Sequence, residues 1–144
     1  MTGSKLTDEA ACQLVNDLFA ATGSGDWQKA ASMLTDDLVI HEADCVPMAG
    51  EYHGKDALQQ LYTDVFTRLD VAELEQLGQT VGGDYVINIA RMHFAQPGPE
   101  HPRLRPAELC ERFTIRDGKV SEIKPYYFDP TALTAAAEAK QKGG

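Results

Sequence analysis

Apolar positions along the chain fall first at helical and then at strand spacing. Ala11, Leu14, Val15, Leu18, Phe19 and Thr22 recur at steps of three and four, which predicts one apolar helix face. Thr7 supplies a side-chain oxygen for the free amides at its start, Asp8 and Glu9 sit at the positive end of its dipole, and Gly23, Ser24 and Gly25 end it. Asp26 caps a short second helix that carries Trp27, Ala30, Ala31 and Leu34. Leu38, Val39 and Ile40 favour a strand, which continues through His41, Glu42, Ala43 and Asp44 until Pro47 and Gly50 break it. After Gly54 the helical period returns in Leu58, Leu61, Tyr62, Val65, Phe66 and Leu69, a stripe that reads as core.

From Val71 onward the period is two. Strands are predicted over Val71 to Val81 and Asp84 to Ala95, joined at Gly82-Gly83, and over Ala107 to Arg116 and Lys119 to Phe128, joined at Asp117-Gly118. The segment from Gln96 to Pro106 holds four of the seven prolines, so it stands outside the ladder as a stiff loop. Asp129 and Pro130 open an Ala-rich C-terminal helix that runs out at Gly143 and Gly144. Three helices with one strand among them, followed by a four-stranded antiparallel meander, make an α+β domain with helices on one face of a curved sheet. No linker or repeat interrupts it, so residues 1 to 144 read as a single domain, with a core over about 7–130 and a C-terminal helix and tail over 131–144.

Composition narrows the partners. With 22 acidic and 13 basic side chains the net charge is −9, too acidic for a surface that neutralises a run of phosphates, which argues against nucleic acid and anionic membranes. Cys12, Cys45 and Cys110 are odd in number and lack metal or redox spacing, so they read as free thiols of a reducing compartment. The polar stretch from Met1 to Asp8 lacks the apolar run of a signal peptide and no segment has the length of a membrane span, which gives the expectation of a cytoplasmic protein.

Candidate chemistry sits where ionisable groups interrupt apolar strands. His41, Glu42 and Asp44 end the first strand, and alternation puts His41 and Glu42 on opposite faces, so one of them looks inward. Arg91 and His93 share a face within a strand of Val, Ile, Ala, Met and Phe. Glu111 shares a face with Leu109, Phe113 and Ile115, where a lone acid either pairs, with Arg91 for instance, or shifts its pKa and serves as an acid opposite Glu42. The plainer alternatives are a solvated strand end for His41 and Glu42, and a dimer surface for Arg91 and His93. The four histidines show no HxH or HxxxH spacing, so no metal site is expected; nor is there a Gly-rich phosphate loop.

The stretches GDWQKAASMLTDDLVIHEAD, PMAGEYHGKDAL and ERFTIRDGKVSEIKPYYFDP, in this order of elements, resemble the nuclear transport factor 2-like superfamily. Within it, the SnoaL-like polyketide cyclase and ketosteroid isomerase-related branch is the most similar, over about residues 7–130. The resemblance implies a cone-shaped fold, in which a curved, mostly antiparallel sheet wraps around three N-terminal helices and leaves a deep apolar pocket. It also implies an enzyme that needs no cofactor, acts on a small hydrophobic carbonyl compound such as a polyketide or terpenoid intermediate, and forms a homodimer. Glu42 matches the carboxylate base of ketosteroid isomerases, while Leu18 stands near the place of their oxyanion tyrosine. In limonene epoxide hydrolase-like members an Arg-x-Asp pair and a further Asp activate water; here Arg91 keeps its place, His93 replaces one Asp and Tyr126 stands at the other. Glu42 with Asp44 or His41 as base, and His93, Tyr126 and Arg91 steadying the enolate, is therefore the leading expectation, with Glu111 as a second acid. An epoxide hydrolase and a non-catalytic dimeric binding protein remain the alternatives. Trp27, Tyr62, Phe66 and Phe128, with Met92 and Phe94, are candidates to line an aromatic pocket or else plain core.

Overall fold

The computed structural model describes residues 6–143; Gly144 and residues 1–5, which hold most of the polar N-terminal stretch, lie outside them. Helix α1 (Asp8–Gly23) starts where its cap predicts, with the Thr7 hydroxyl oxygen accepting from the Ala10 amide at 3.1 Å. Helix α2 (Trp27–Ser32) is capped by Asp26, whose carboxylate accepts from the Lys29 amide at 3.1 Å. Strand β1 (Leu34–Glu42), strand β2 (Gly50–His53) and helix α3 (Ala57–Arg68) follow. The meander is β3 (Val71–Val81), β4 (Tyr85–Phe94), β5 (Ala107–Arg116) and β6 (Lys119–Tyr127), and helix α4 (Thr131–Gly143) closes the chain.

One sheet of six strands runs in the order β2-β1-β6-β5-β4-β3. Its meander pairs as the two hairpin signals predict, and Asp117 and Gly118 adopt φ of 55° and 75°, the positive values that a tight two-residue turn requires. At the other hairpin the Tyr85 ring lies over Gly82, where a side chain would have to displace it. Register shifts within β3 and near the start of β6 mark bulges that help bend the sheet around the helices.

Strand β1 begins at Leu34, which the sequence pattern assigns to the second helix, and ends at Glu42 rather than Asp44; two further features of the sheet differ from the sequence reading. Strand β2 is four residues long and falls where Pro47 and Gly50 read as a break; it pairs with β1 through His41 opposite Glu51. Four residues carry too little alternation to show a period, so the partner strand rather than the segment's own pattern makes it extended. Strand β1 also lies parallel to β6, with Ile40 beside Ile123, a pairing between segments some eighty residues apart.

The core has two lobes. Val15, Leu18, Leu34, Leu38, Ile40, Phe113 and Ile123 pack where α1 meets the sheet, and Met48, Leu69, Met92, Phe94, Leu109 and Leu133 pack where α4 meets it. The α3 stripe is not simply core: only Ala57 of that helix is fully buried, because Leu58, Leu61, Tyr62, Val65 and Phe66 face a cavity left between helix and sheet. Apolar periodicity reports a face turned away from water, and it reads the same whether that face meets side chains or a hollow.

Candidate active site

The cavity has a volume of about 320 Å³ and is bounded by α1, α3 and the concave face of the sheet. Its walls are apolar over most of their extent: Leu18 and Phe19 from α1, Tyr62 and Phe66 from α3, and Met92, Leu109 and Phe113 from the meander. Into this lining β1 places Glu42, β3 places Gln76, β5 places Glu111 and β6 places Tyr127. Strand alternation accounts for Glu42, Glu111 and Tyr127. Leu38, Ile40 and Glu42 lie on the inner face of β1, Leu109, Glu111 and Phe113 on that of β5, and Ile123, Pro125 and Tyr127 on that of β6.

Glu42 is 7% exposed, and its Oε1 accepts a hydrogen bond of 2.8 Å from the Tyr127 hydroxyl. Burial pushes the Glu42 carboxyl up to about 7; the Tyr127 bond opposes that rise and the charge of Glu111 adds to it. Burial likewise pushes Glu111 up to about 7, with neighbouring Asn88 pulling the other way. The Oε1 atom of Glu111 is sealed from solvent and has no hydrogen-bond partner among the described residues. Asn88 stands opposite Glu111 in the β4–β5 register, is itself buried, and donates to Gln76 Oε1 at 2.5 Å. Tyr127 is pushed far above the usual tyrosine range, first by burial and then by the Glu42 charge, so it remains a phenol and a donor.

The arrangement can take up and release a proton near neutral pH. An acid whose pKa stands near the working pH is present in both forms, and two such acids in one apolar chamber can hold one proton between them. Glu42 also borders a second, more open cleft beside Asp44 and Cys45.

The other residues singled out from the sequence lie elsewhere. His41, next to Glu42, points to the convex face, with Nδ1 3.0 Å from Glu51 Oε2 and Nε2 3.0 Å from Glu122 Oε2. Asp44 is exposed in the connection between β1 and β2. Arg91 and His93 share a face as expected, but it is the convex one: His93 Nε2 lies 2.8 Å from Glu75 Oε1, and Arg91 lies 3.5 Å from Glu75 and 3.7 Å from Glu108. Arg91 therefore does not pair with Glu111, which belongs to the other face. Tyr126 is on the convex face too, its ring 5.9 Å from the Arg112 guanidinium and 5.8 Å from the Lys124 ammonium. Of the aromatic candidates, Tyr62 and Phe66 line the cavity and Trp27 stands behind them, its ring edge-on to Tyr62 at 5.2 Å. Phe128 is 86% exposed and Phe94 is buried in the α4 lobe.

Three inward polar residues escape the sequence reading: Tyr127, Asn88 and Gln76. The signal for Tyr127 was present, since it continues the inward series of Ile123 and Pro125, whereas Tyr126 breaks it. Among the described residues, no group of three or more His, Cys, Asp or Glu side chains is placed to hold a metal ion. No helix of the described residues is long and apolar enough to cross a membrane.

A family model described as a SnoaL-like domain matches residues 15–123. No curated protein matches the chain. Among solved structures, an NTF2-like protein from Burkholderia xenovorans LB400 is 24% identical, with 91% of this chain and 98% of that one covered and a TM-score of 0.72. Bal32a, from a soil-derived mobile gene cassette, is 20% identical over 90% of this chain and 97% of its own, with a TM-score of 0.75. TerC, co-crystallised with polyporic acid, is 16% identical over 90% of this chain and 98% of its own, with a TM-score of 0.74. At these identities the likeness is one of fold.

Proposed function

The chain belongs to the SnoaL-like domain family, and on that premise we propose that it is a cofactor-independent acid/base enzyme that isomerises, cyclises or dehydrates a small hydrophobic carbonyl compound. The observation that carries the proposal is the Glu42 carboxyl, held 2.8 Å from the Tyr127 hydroxyl on the wall of an apolar cavity that also holds Glu111. Glu42 takes the proton from a carbon next to the carbonyl, and the electron pair moves onto the carbonyl oxygen. Glu111, in its protonated form, donates to that oxygen, and Glu42 then returns its proton to the carbon skeleton. Tyr127 holds Glu42 in place and stays protonated throughout. A positioned base contributes about 10²- to 10⁴-fold, and a donor aimed at a developing oxyanion in a dry site about 10²- to 10³-fold more.

That TerC, a protein of the same fold, was co-crystallised with polyporic acid is in keeping with a small organic ligand. Arg91, His93 and Tyr126 have no part in the proposed reaction, since they stand across the sheet from the cavity. An epoxide hydrolase built on Arg91 and His93 loses its residues for the same reason. A homodimer belongs to the proposal as well, with the convex face as its surface, where Tyr85, Ile89 and Tyr126 are exposed.

The test is proton exchange. Cyclic β,γ-unsaturated ketones and 1,3-diketones are incubated with the protein in D2O and followed by NMR, together with measurement of their binding. Deuterium uptake at the carbon next to the carbonyl, accelerated by the protein and slowed at least a hundredfold by Glu42→Gln, is expected. If such compounds fill the cavity and exchange no faster than in buffer, the protein is a binder rather than an enzyme of this kind.

A further inference from the structure

Among the described residues, the charged side chains that line the cavity are all of one sign. Glu42 on β1 and Glu111 on β5, strands that flank β6 in the sheet, are its acids, and among the described residues no Lys, Arg or His lines the chamber. The basic side chains nearest in sequence to these acids are turned away from it. Arg112 reaches across the convex face to Glu122 at 3.0 Å, and His41 is held there between Glu51 and Glu122. The sheet thus spends its cations on one face and leaves the acids on the other without a counter-charge.

Burying a carboxyl in apolar surroundings is costly unless a partner is supplied. Glu42 has one neutral donor in Tyr127 and Glu111 has the Asn88 amide beside it, and among the described residues neither has a cation in the chamber. The same chamber offers aromatic rings on two sides, Phe19 and Phe113 edge-to-face at 5.5 Å, and Tyr62 and Phe66 at 4.7 Å. Ring faces attract a cation and also accept its hydrocarbon body. A ligand anion would meet the opposite circumstances, with like charges, no counter-ion and a low dielectric.

We propose that the cavity selects its ligands by charge: it binds hydrophobic amines as ammonium ions at Glu111 and Glu42, admits neutral compounds of the same skeleton more weakly, and rejects the corresponding carboxylates. The inference rests on the cavity and its two acids and holds whether or not the site catalyses a reaction. For the carbonyl substrate proposed above, it narrows the class to uncharged compounds or those bearing a basic nitrogen.

Three compounds of one skeleton test it: 1-adamantylmethylamine, 1-adamantylmethanol and 1-adamantanecarboxylate. Binding to the whole chain is measured at pH 7.5 by calorimetry and by the fluorescence of Trp27, the chain's one tryptophan, which abuts Tyr62. The amine is expected to bind at least tenfold more tightly than the alcohol, and the carboxylate at least tenfold more weakly. Glu111→Gln, which keeps shape and loses charge, is expected to erase most of the amine's advantage and to leave the alcohol within about threefold. Cavity-filling Val65→Trp should weaken all three, which separates binding inside from binding to the acidic surface. Equal affinities for the three compounds, or an amine preference that survives both substitutions, would overturn the charge selection without touching the proton-exchange reading. Binding by none of the three would overturn it as well, whereas absence of deuterium exchange would overturn only the enzymatic proposal.

Discussion

Tyr127 on the last strand donates to Glu42 at the end of the first strand, 2.8 Å apart across 85 positions of sequence. The bond exists because β1 lies parallel to β6, which brings the inward-facing ends of both strands to one wall of the cavity. It stabilises the carboxylate form of Glu42 against the desolvation that raises its pKa. Tyr127→Phe is therefore expected to move the Glu42 titration upward from about 7, seen in ¹³C NMR of labelled glutamate side chains, and to shift the acidic limb of any pH-rate profile the same way. Loss of a buried partner should also lower stability by about 1 to 3 kcal/mol above that pH, measured by denaturant unfolding.

The two buried acids set a pH dependence of stability. Both carboxyls stand at about 7 in the folded protein against 4.5 as the ordinary value, so the folded state binds more protons between those limits. Stability from these groups is fully present below pH 4.5, falls as pH rises through 7, and levels off above that. Glu111→Gln removes one such group. It should leave Tm near the wild-type value at pH 4.5 and raise it above wild type at pH 8; a variant equal or inferior to wild type at pH 8 would count against the burial of Glu111 as described.

The convex cluster is expected to be dispensable for chemistry. His93→Ala and Arg91→Ala remove partly exposed contacts to Glu75 and Glu108. Exposed pairs contribute roughly 0 to 1 kcal/mol, so stability should change within that range. Ligand affinity, and the proton exchange catalysed by the protein, should stay within about threefold of wild type; a hundredfold loss of exchange in either variant would show that the convex face communicates with the site.

The hollow beside α3 can be filled. Val65→Trp places a large ring in space that Val65, Tyr62 and Phe66 now border. Because the ring enters a void rather than a packed core, the fold should tolerate it with a Tm equal to or above wild type. Binding of cavity ligands should fall at least tenfold in calorimetry, and unchanged binding would place the ligand site elsewhere.

Much of the architecture was legible in the sequence because the signals are local. Thr7 and Asp26 cap helices through their own neighbours, Asp117-Gly118 fixes a turn by its own φ values, and the meander strands alternate within themselves. Glu42 and Glu111 stood out for the same reason, as acids in apolar rows. The side of the sheet is not legible in this way: Arg91, His93 and Tyr126 lie in strands and alternation gives Arg91 and His93 a common face, but nothing local says which face of a sheet is concave.

The chain by itself therefore determined its helices, its meander strands, its net charge of −9 and the apolar rows in which Glu42 and Glu111 stand. Their partners were decided in three dimensions. The β4–β5 register sets Asn88 against Glu111, the parallel β1–β6 pairing lets Tyr127 reach Glu42, and the α3 stripe faces a hollow rather than a packed core. The physical reason is that periodicity and capping are settled within a few residues, whereas proximity across 85 positions, and the desolvation that moves a carboxyl toward neutral pH, arise only when distant strands enclose a common space.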